Sequence, residues 1–163
     1  MKEITFRMAK AADSKMLLAW RNDAESRRNS FHEHEVKPEE HDGWMKKIIG
    51  SKDNILLIAE LDGKPVGAFR MDKFTIPDVG EAPDVRLISY IVAPEIRKKG
   101  LGKAIVAEGC VCYGQEYSLI AKIKDTNIAS KKILEACDFV MMGEVETGIF
   151  AYVRPSSKED TIQ

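Results

Sequence analysis

The chain has 163 residues, 44% of them hydrophobic and 31% charged, with 11 Gly, 6 Pro and 3 Cys. This composition excludes collagen-like, low-complexity and extended disordered chains and suits one compact domain, which at this length buries roughly 70% of the unfolded surface without disulfide or metal staples. Lys plus Arg number 25 against 26 Asp plus Glu, a formal net charge of −1, so the basic excess usual in duplex nucleic-acid binders is missing and electrostatic function must be local.

In chain order, Ile4, Phe6 and Met8 alternate with Thr5 and Arg7, which predicts a half-buried strand. Asp13 or Ser14 caps a helix with Met16, Leu17 and Trp20 on one side. Residues 22 to 36 are polar without a clean period and predict a long loop holding at most a short helical turn. Pro38 opens a second helix, with Glu39 and Glu40 in its first turn, Trp44, Met45, Ile48 and Ile49 at helical spacing, and Gly50 at its end. The period then changes. Ile55 to Leu61 and Val66 to Met71 read as a hairpin around Asp62-Gly63, followed by a Pro/Gly/Asp-rich loop over Ile76 to Pro83.

Val85 to Val92 is a buried strand ended by Pro94, Gly100 to Gly114 a helix, Ser118 to Lys124 a strand and Asn127 to Ala136 a helix. Phe139 to Val145 and Ile149 to Val153 form a terminal hairpin around Thr147-Gly148. A domain over 1–153 and a polar, fraying tail over 154–163 follow. The fold class is α/β (α+β): one mixed sheet with helices on both faces. Cys110, Cys112 and Cys137 lack framework spacing and read as buried thiols of a reducing compartment. Met1 to Phe6 has no signal-peptide core, and no 18-residue apolar run occurs, so the expectation is a cytoplasmic protein without a membrane partner.

Chemistry concentrates between Tyr90 and Lys103. There a buried strand passes through a proline stop and a basic turn with two glycines into a helix. Glycines let phosphate oxygens approach the backbone, the first helical N–H groups are unpaired donors, and the helix dipole adds positive potential. Arg97, Lys98, Lys99 and Lys103 thicken that potential. A Walker loop requires glycine where Arg97 stands and Ser or Thr where Ala104 stands, and a dinucleotide fingerprint requires glycine where Ile105 stands.

Val92-x-Pro94-x-x-Arg97-x-x-Gly100-x-Gly102 resembles motif A of the GCN5-related N-acetyltransferases (GNATs), in which Arg/Gln-x-x-Gly-x-Gly/Ala wraps the pyrophosphate of coenzyme A. Asn127-x-x-Ser130-x-x-Ile133-Leu134-x-x-Cys137-Asp138-Phe139 resembles motif B, and the likeness runs from Ile4 to Val153. It implies a mostly antiparallel twisted sheet of about seven strands and direct acetyl transfer from acetyl-CoA to an amine. Ile91, Val92, Arg97, Lys98, Lys99, Gly100, Leu101, Gly102, Lys103, Asn127 and Ser130 would hold the cofactor. The strand over Ser89 to Val92 would part from its neighbour at a bulge, with a main-chain N–H near Ile91 aimed at the thioester oxygen.

Leu18 to Asp23, Arg27, Ser30-Phe31 and Glu40-His41-x-x-Trp44 resemble the branch of that family acting on UDP-linked 4-amino-4,6-dideoxy sugars in pseudaminic-acid and surface-polysaccharide biosynthesis. By that resemblance Trp20, Arg21, Asn22, Arg27, Ser30, Phe31, His41 and Trp44 bind the acceptor. Aromatics at helical spacing usually pack, so Trp20 and Trp44 suit the core better than the acceptor, and Arg21, Asn22 and Arg27 suit loop ordering or plain solvation as well. Two departures concern catalysis. Leu134 stands where many relatives carry a thiolate-protonating Tyr, and the strand carboxylate of relatives is replaced around Leu87 and Ile88. Asp84, with Glu81 beside it, and His41 are the candidate bases. Asp138 stands where relatives have Gly and would take a positive φ. His32-x-His34 has no supporting ligand spacing, so no metal is expected.

A ribosomal-protein N-terminal acetyltransferase and a catalytically lapsed acyl-CoA-binding regulator are the alternative readings. Homodimers through the terminal hairpin are common among relatives.

Overall fold

The computed structural model describes residues 3–158. Its elements are β1 (Ile4–Met8), a short 3-10 turn at Ala11–Asp13, α1 (Ser14–Asn22), α2 (Ala24–Asn29), α3 (Pro38–Ile49), β2 (Ile55–Leu61), β3 (Lys64–Ile76), β4 (Gly80–Val92), α4 (Leu101–Tyr113), β5 (Ser118–Lys124), α5 (Ile128–Ala136), β6 (Val140–Glu146) and β7 (Ile149–Arg154). They build one seven-stranded sheet in the order β1-β2-β3-β4-β5-β7-β6. Every neighbouring pair is antiparallel except β4 and β5.

Strand alternation divides the core in two. Leu57, Phe69, Met71 and Ile88 point to the face covered by α4 and α5, where they join Ile105, Val106, Leu119 and Leu134. Leu56, Ile58 and Ala68 point to the opposite face and meet Leu17, Trp20, Met45 and Ile48 of α1 and α3. On α3 the buried positions His41, Met45 and Ile48 recur at helical spacing, which is why Pro38–Ile49 closes as a helix against the sheet. Phe69 is fully buried, with Phe6 and Tyr113 stacked on it at centroid distances of 5.6 and 6.4 Å. Burying such a ring contributes about 2–3 kcal/mol.

Several boundaries differ from the sequence expectation. Within residues 22–36 lies α2, whose N-cap Asp23 accepts from the Glu25 and Ser26 amides at 3.1 and 3.3 Å. The expected loop at Ile76–Pro83 is largely a continuation of the β3–β4 hairpin. Its ladder is irregular between Lys73 and Thr75, opposite the segment holding Pro83, so the missing proline N–H disturbs no regular pairing. Asp13 precedes α1 but does not cap it, because its carboxylate accepts instead from Arg7 and the Lys10 amide.

The tail expected to fray from Arg154 is tied down as far as it is described. Arg154 ends β7, buried Ser156 donates its amide to Ser118 Oγ at 3.0 Å, and the Ser157 and Lys158 amides reach Gly114 and Gln115. Met1, Lys2 and the tail beyond Lys158 lie outside the described residues. Cys110 and Cys137 are buried thiols, whereas Cys112 is exposed on the other side of α4. Asp138 adopts φ +69° after α5, the left-handed turn expected there. Among the described residues no helix is long and apolar enough to cross a membrane.

Candidate active site

The sheet parts at its centre. β4 and β5 pair only at Val85↔Ser118, Arg86↔Leu119 and Leu87↔Ile120, leaving Ile88–Val92 and Ala121–Lys124 to diverge. The parting carries no bulge: β4 stays in unbroken register with β3 from Arg86 to Val92. That register decides which main-chain groups face the notch. The Ala93 amide donates to Val66 O at 2.9 Å, and inward and outward residues alternate along an antiparallel ladder. Ile91 therefore bonds back to β3, while Tyr90 and Val92 present N–H and C=O to the notch. The expected amide at Ile91 is corrected to its two neighbours. The Ile91 carbonyl indeed lies against β3, where a Cβ on Gly67 would sit 2.4 Å from it.

Above the notch stands the start of α4. Lys98 has φ +66°, and Gly100 is the left-handed N-cap at φ +76°. The first bond of the helix joins the Ala104 amide to Gly100 O at 3.2 Å, so the amides of Leu101, Gly102 and Lys103 are not used by the helix. Lys98, Lys99 and Lys103 are exposed around this turn. The two glycines have different reasons to be there. A Cβ on Gly100 would meet open space, and only its backbone angle demands glycine. A Cβ on Gly102 would lie 2.8 Å from Ile133 Cδ1, 3.5 Å from Val92 Cγ2 and 3.6 Å from Tyr90 Cε2. Gly102 thus brings α4 down onto α5 and β4.

Tyr90 reaches across the parting to α5, its hydroxyl 2.7 Å from Ser130 Oγ. Burial pushes this phenol up to about 12, with the Ser130 hydrogen bond working against the shift. Asn127 caps α5, its Oδ1 accepting from the Ser130 amide at 3.2 Å. Leu134 is fully buried in the core.

On the face toward α1 and α3, alternation aligns Leu87, Ser89 and Ile91 of β4 with Asp72, Arg70 and Ala68 of β3 as direct cross-strand partners. Arg70 Nε is 2.9 Å from both Asp72 oxygens, and its guanidinium lies 5.3 Å from the Trp44 ring centroid. Asp72 therefore sits beside Leu87, the position that lacks a carboxylate. The polar pair Arg70-x-Asp72, following the apolar run Val66–Phe69, was the available signal for it.

The residues expected to bind the acceptor divide sharply. Arg21 Nη2 donates to His32 O at 2.6 Å, Arg27 Nε to Glu33 O at 3.0 Å, and Asn22 bonds both main-chain groups of Val36 at 2.8 Å. These three side chains hold the 30–36 segment in shape. Arg21 Nη1 is buried without a partner, and burial, with Arg27 nearby, lowers the Arg21 pKa. Ser30 Oγ donates to Ser26 O, and Phe31 is exposed. Trp20 is a core residue at 4% exposure.

His41 is also buried, its Nδ1 3.0 Å from Ser14 Oγ and its ring 5.3 Å from that of Trp44. Burial lowers its pKa, with Asp42 opposing, so it is a neutral pin between α1 and α3. Asp84 is exposed and precedes Ile91 by seven strand residues, roughly 23 Å. At that distance it is corrected out of the site. Glu81 pairs with Lys73 at 3.3 Å, farther out on the same hairpin. The Arg97 guanidinium faces α2 instead of the α4 turn, 2.6 Å from Asp23, 2.9 Å from Glu25 and 2.8 Å from Ser26 Oγ.

A family model described as an acetyltransferase (GNAT) domain matches residues 3–140. Among solved structures, the aminoglycoside acetyltransferase AAC(6')-Ib with ribostamycin and coenzyme A superposes with a TM-score of 0.80 at 19% identity, over 99% of this chain and 98% of that one. Spermidine N-acetyltransferase from Vibrio cholerae with CoA and spermine gives 0.83 at 15% identity, covering 96% and 97%. RimL, a ribosomal L7/L12 alpha-N-protein acetyltransferase in complex with coenzyme A, gives 0.76 at 13%, covering 95% of both. At these identities the likeness is one of fold. No curated protein matches the chain in sequence.

Proposed function

The chain belongs to the GNAT acetyltransferase family, and from that footing we propose that it transfers an acetyl group from acetyl-CoA to the amine of a nucleotide-linked amino sugar, directly and in a ternary complex. The observation that carries the donor half is the coincidence of the parted β4/β5 strands with the left-handed, lysine-flanked start of α4. That donor set fits the group. The amides of Leu101, Gly102 and Lys103, with Lys98, Lys99 and Lys103, would hold a diphosphate. The outward main-chain groups of Tyr90 and Val92 suit the amides and thioester of an extended arm, and Asn127 and Ser130 border the same notch at the start of α5.

Acetyl-CoA supplies an electrophilic carbonyl with a thiol leaving group. An amine attacks only as the free base, and Asp72, held by Arg70, is the carboxylate this face offers to take its proton, directly or through water. The amine nitrogen forms the new C–N bond as the C–S bond breaks; the acylated nitrogen gives up its surplus proton to water, and water returns one to the departing sulfur, so that amide and thiol leave with no net proton change. A thiol of ordinary pKa about 8.5 leaves without a stronger acid, and buried Leu134 supplies none. Trp44, half-buried behind Arg70, offers an apolar wall for a ring. The amino-sugar acceptor is supported by the sequence likeness and by the fold likeness to an aminoglycoside acetyltransferase in complex with ribostamycin.

Thiol release from acetyl-CoA tests the proposal, with UDP-4-amino-4,6-dideoxy sugars compared against N-terminal peptides. The expected kcat/KM ratio is at least about tenfold in favour of the sugars. Preference for peptides overturns the acceptor, and binding without release for any amine overturns transfer.

A further inference from the structure

The segment from Asp23 to Glu33 is fastened at both ends to the strands that part. At one end, Arg97, five residues past β4, holds Asp23, Glu25 and Ser26. At the other, Lys124, the last residue of β5, donates to Arg28 O at 2.8 Å and lies 3.6 Å from Glu33 Oε2. α2 runs between these anchors, and six helical residues span about 9 Å, a length suited to bridging two diverging strand ends. Both anchoring side chains are mostly covered, Arg97 at 22% exposure and Lys124 at 20%. Asp23 does double work, capping α2 while accepting from Arg97. Burial opposes its ionisation, but Arg97 and the Ser26 and Glu25 amides hold its carboxyl below the ordinary value.

Resting on the transferase reading, we propose that Arg97 and Lys124 are positioning residues that rivet α2 and the 30–36 segment across the open end of the β4/β5 notch, and that Arg97 governs the acceptor side instead of binding the diphosphate through its guanidinium. In chain order Arg97 belongs to the phosphate turn, yet its three side-chain partners all lie on α2 or its cap. Charge accounting agrees: with two carboxylates within 3 Å, Arg97 adds little positive potential to the turn, which is left to Lys98, Lys99 and Lys103. The strap so held fixes the roof under which an amine approaches, so the acceptor's KM depends on the rivets. The carboxylates Glu25 and Glu33 are exposed, at 46% and 63%, so salt loosens their part of each rivet.

The deciding variant is D23N/E25Q, which cuts the rivet but leaves Arg97 in place, beside K124A. Amide exchange over residues 24–33 is followed by mass spectrometry, and coenzyme A affinity by calorimetry. Faster exchange in that segment, by about tenfold, with coenzyme A affinity within about twofold and a raised acceptor KM at unchanged kcat, is the expected result. Tighter coenzyme A binding by D23N/E25Q with unchanged exchange would show that Arg97 had been withheld from the phosphates and overturns the proposal, as does the absence of any effect. If the wild-type protein fails to bind coenzyme A, the transferase reading falls, while the exchange measurement still decides the rivet.

Discussion

Replacing the two cradle glycines one at a time separates backbone angle from packing. Gly100→Ala places a Cβ in open space but asks an L-residue to keep φ +76°, which costs about 1–2 kcal/mol. For a domain of this size that lowers Tm by about 2–8 °C. If the backbone relaxes to negative φ, the Leu101 and Gly102 amides turn away from their shared focus. One lost charge-assisted hydrogen bond of about 1.5 kcal/mol weakens acetyl-CoA binding about tenfold, and two weaken it about a hundredfold. Gly102→Ala keeps an ordinary helical angle and gains about 1 kcal/mol of helix propensity. Its new methyl meets Ile133 Cδ1 at 2.8 Å, the free end of a side chain that can rotate, so overpacking costs about 1–2 kcal/mol and the net change is small. Acetyl-CoA affinity then stays within about threefold. Calorimetry and thermal melting on both variants measure all four quantities. A folded G102A that loses the cofactor beside a G100A that keeps it would refute the assignment of the amides to the diphosphate.

Asp72→Asn should lower kcat/KM by about a hundredfold while leaving coenzyme A affinity intact; an unchanged kcat/KM takes Asp72 out of catalysis. Leu134→Tyr forces a hydroxyl and extra volume into a site with no exposure, so a stability loss of about 2–4 kcal/mol in denaturant titration is expected, with no gain in rate. His41 has a folded pKa below its ordinary 6.5. The unfolded chain therefore takes up a proton that the native state resists, and stability falls as pH drops below about 6.5. Thermal melting of wild type and His41→Gln between about pH 7.5 and 5.5 checks this, since the variant should show the shallower decline.

What could be read in the sequence was local. The strand, proline stop, glycine turn and helix from Tyr90 to Lys103 lie in one continuous stretch, and each residue's conformational preference agrees with its neighbours. The left-handed turn at Asp138 was similarly visible. What escaped depends on partners far away in the chain. Arg97 reads as a phosphate ligand until Asp23, 74 residues earlier, is found against it. Asp72 becomes a site residue only through the register that sets it opposite Leu87. The outward orientation of Val92 and Tyr90 rests on which alternate set of β4 residues bonds to β3, a parity that composition does not encode. Arg21, Asn22 and Arg27 read equally as acceptor ligands or loop-ordering residues, and their contacts are with the main chain of the 32–36 segment.

The three-rung junction between β4 and β5 makes the sheet a pair of leaves joined along a very short seam. With so few hydrogen bonds across it, the angle between the leaves is governed from behind, by the apolar wedge in which Ile105 and Val106 of α4 and Leu134 of α5 cluster with Phe69 and Ile88 of one leaf and Leu119 and Ile123 of the other. Gly109, where a methyl would strike the Phe69 ring at 2.5 Å, and Ile133 above Gly102 are thickness gauges in that wedge. Substitutions in the core behind the sheet would therefore widen or narrow the cleft while the main-chain groups lining it stayed the same.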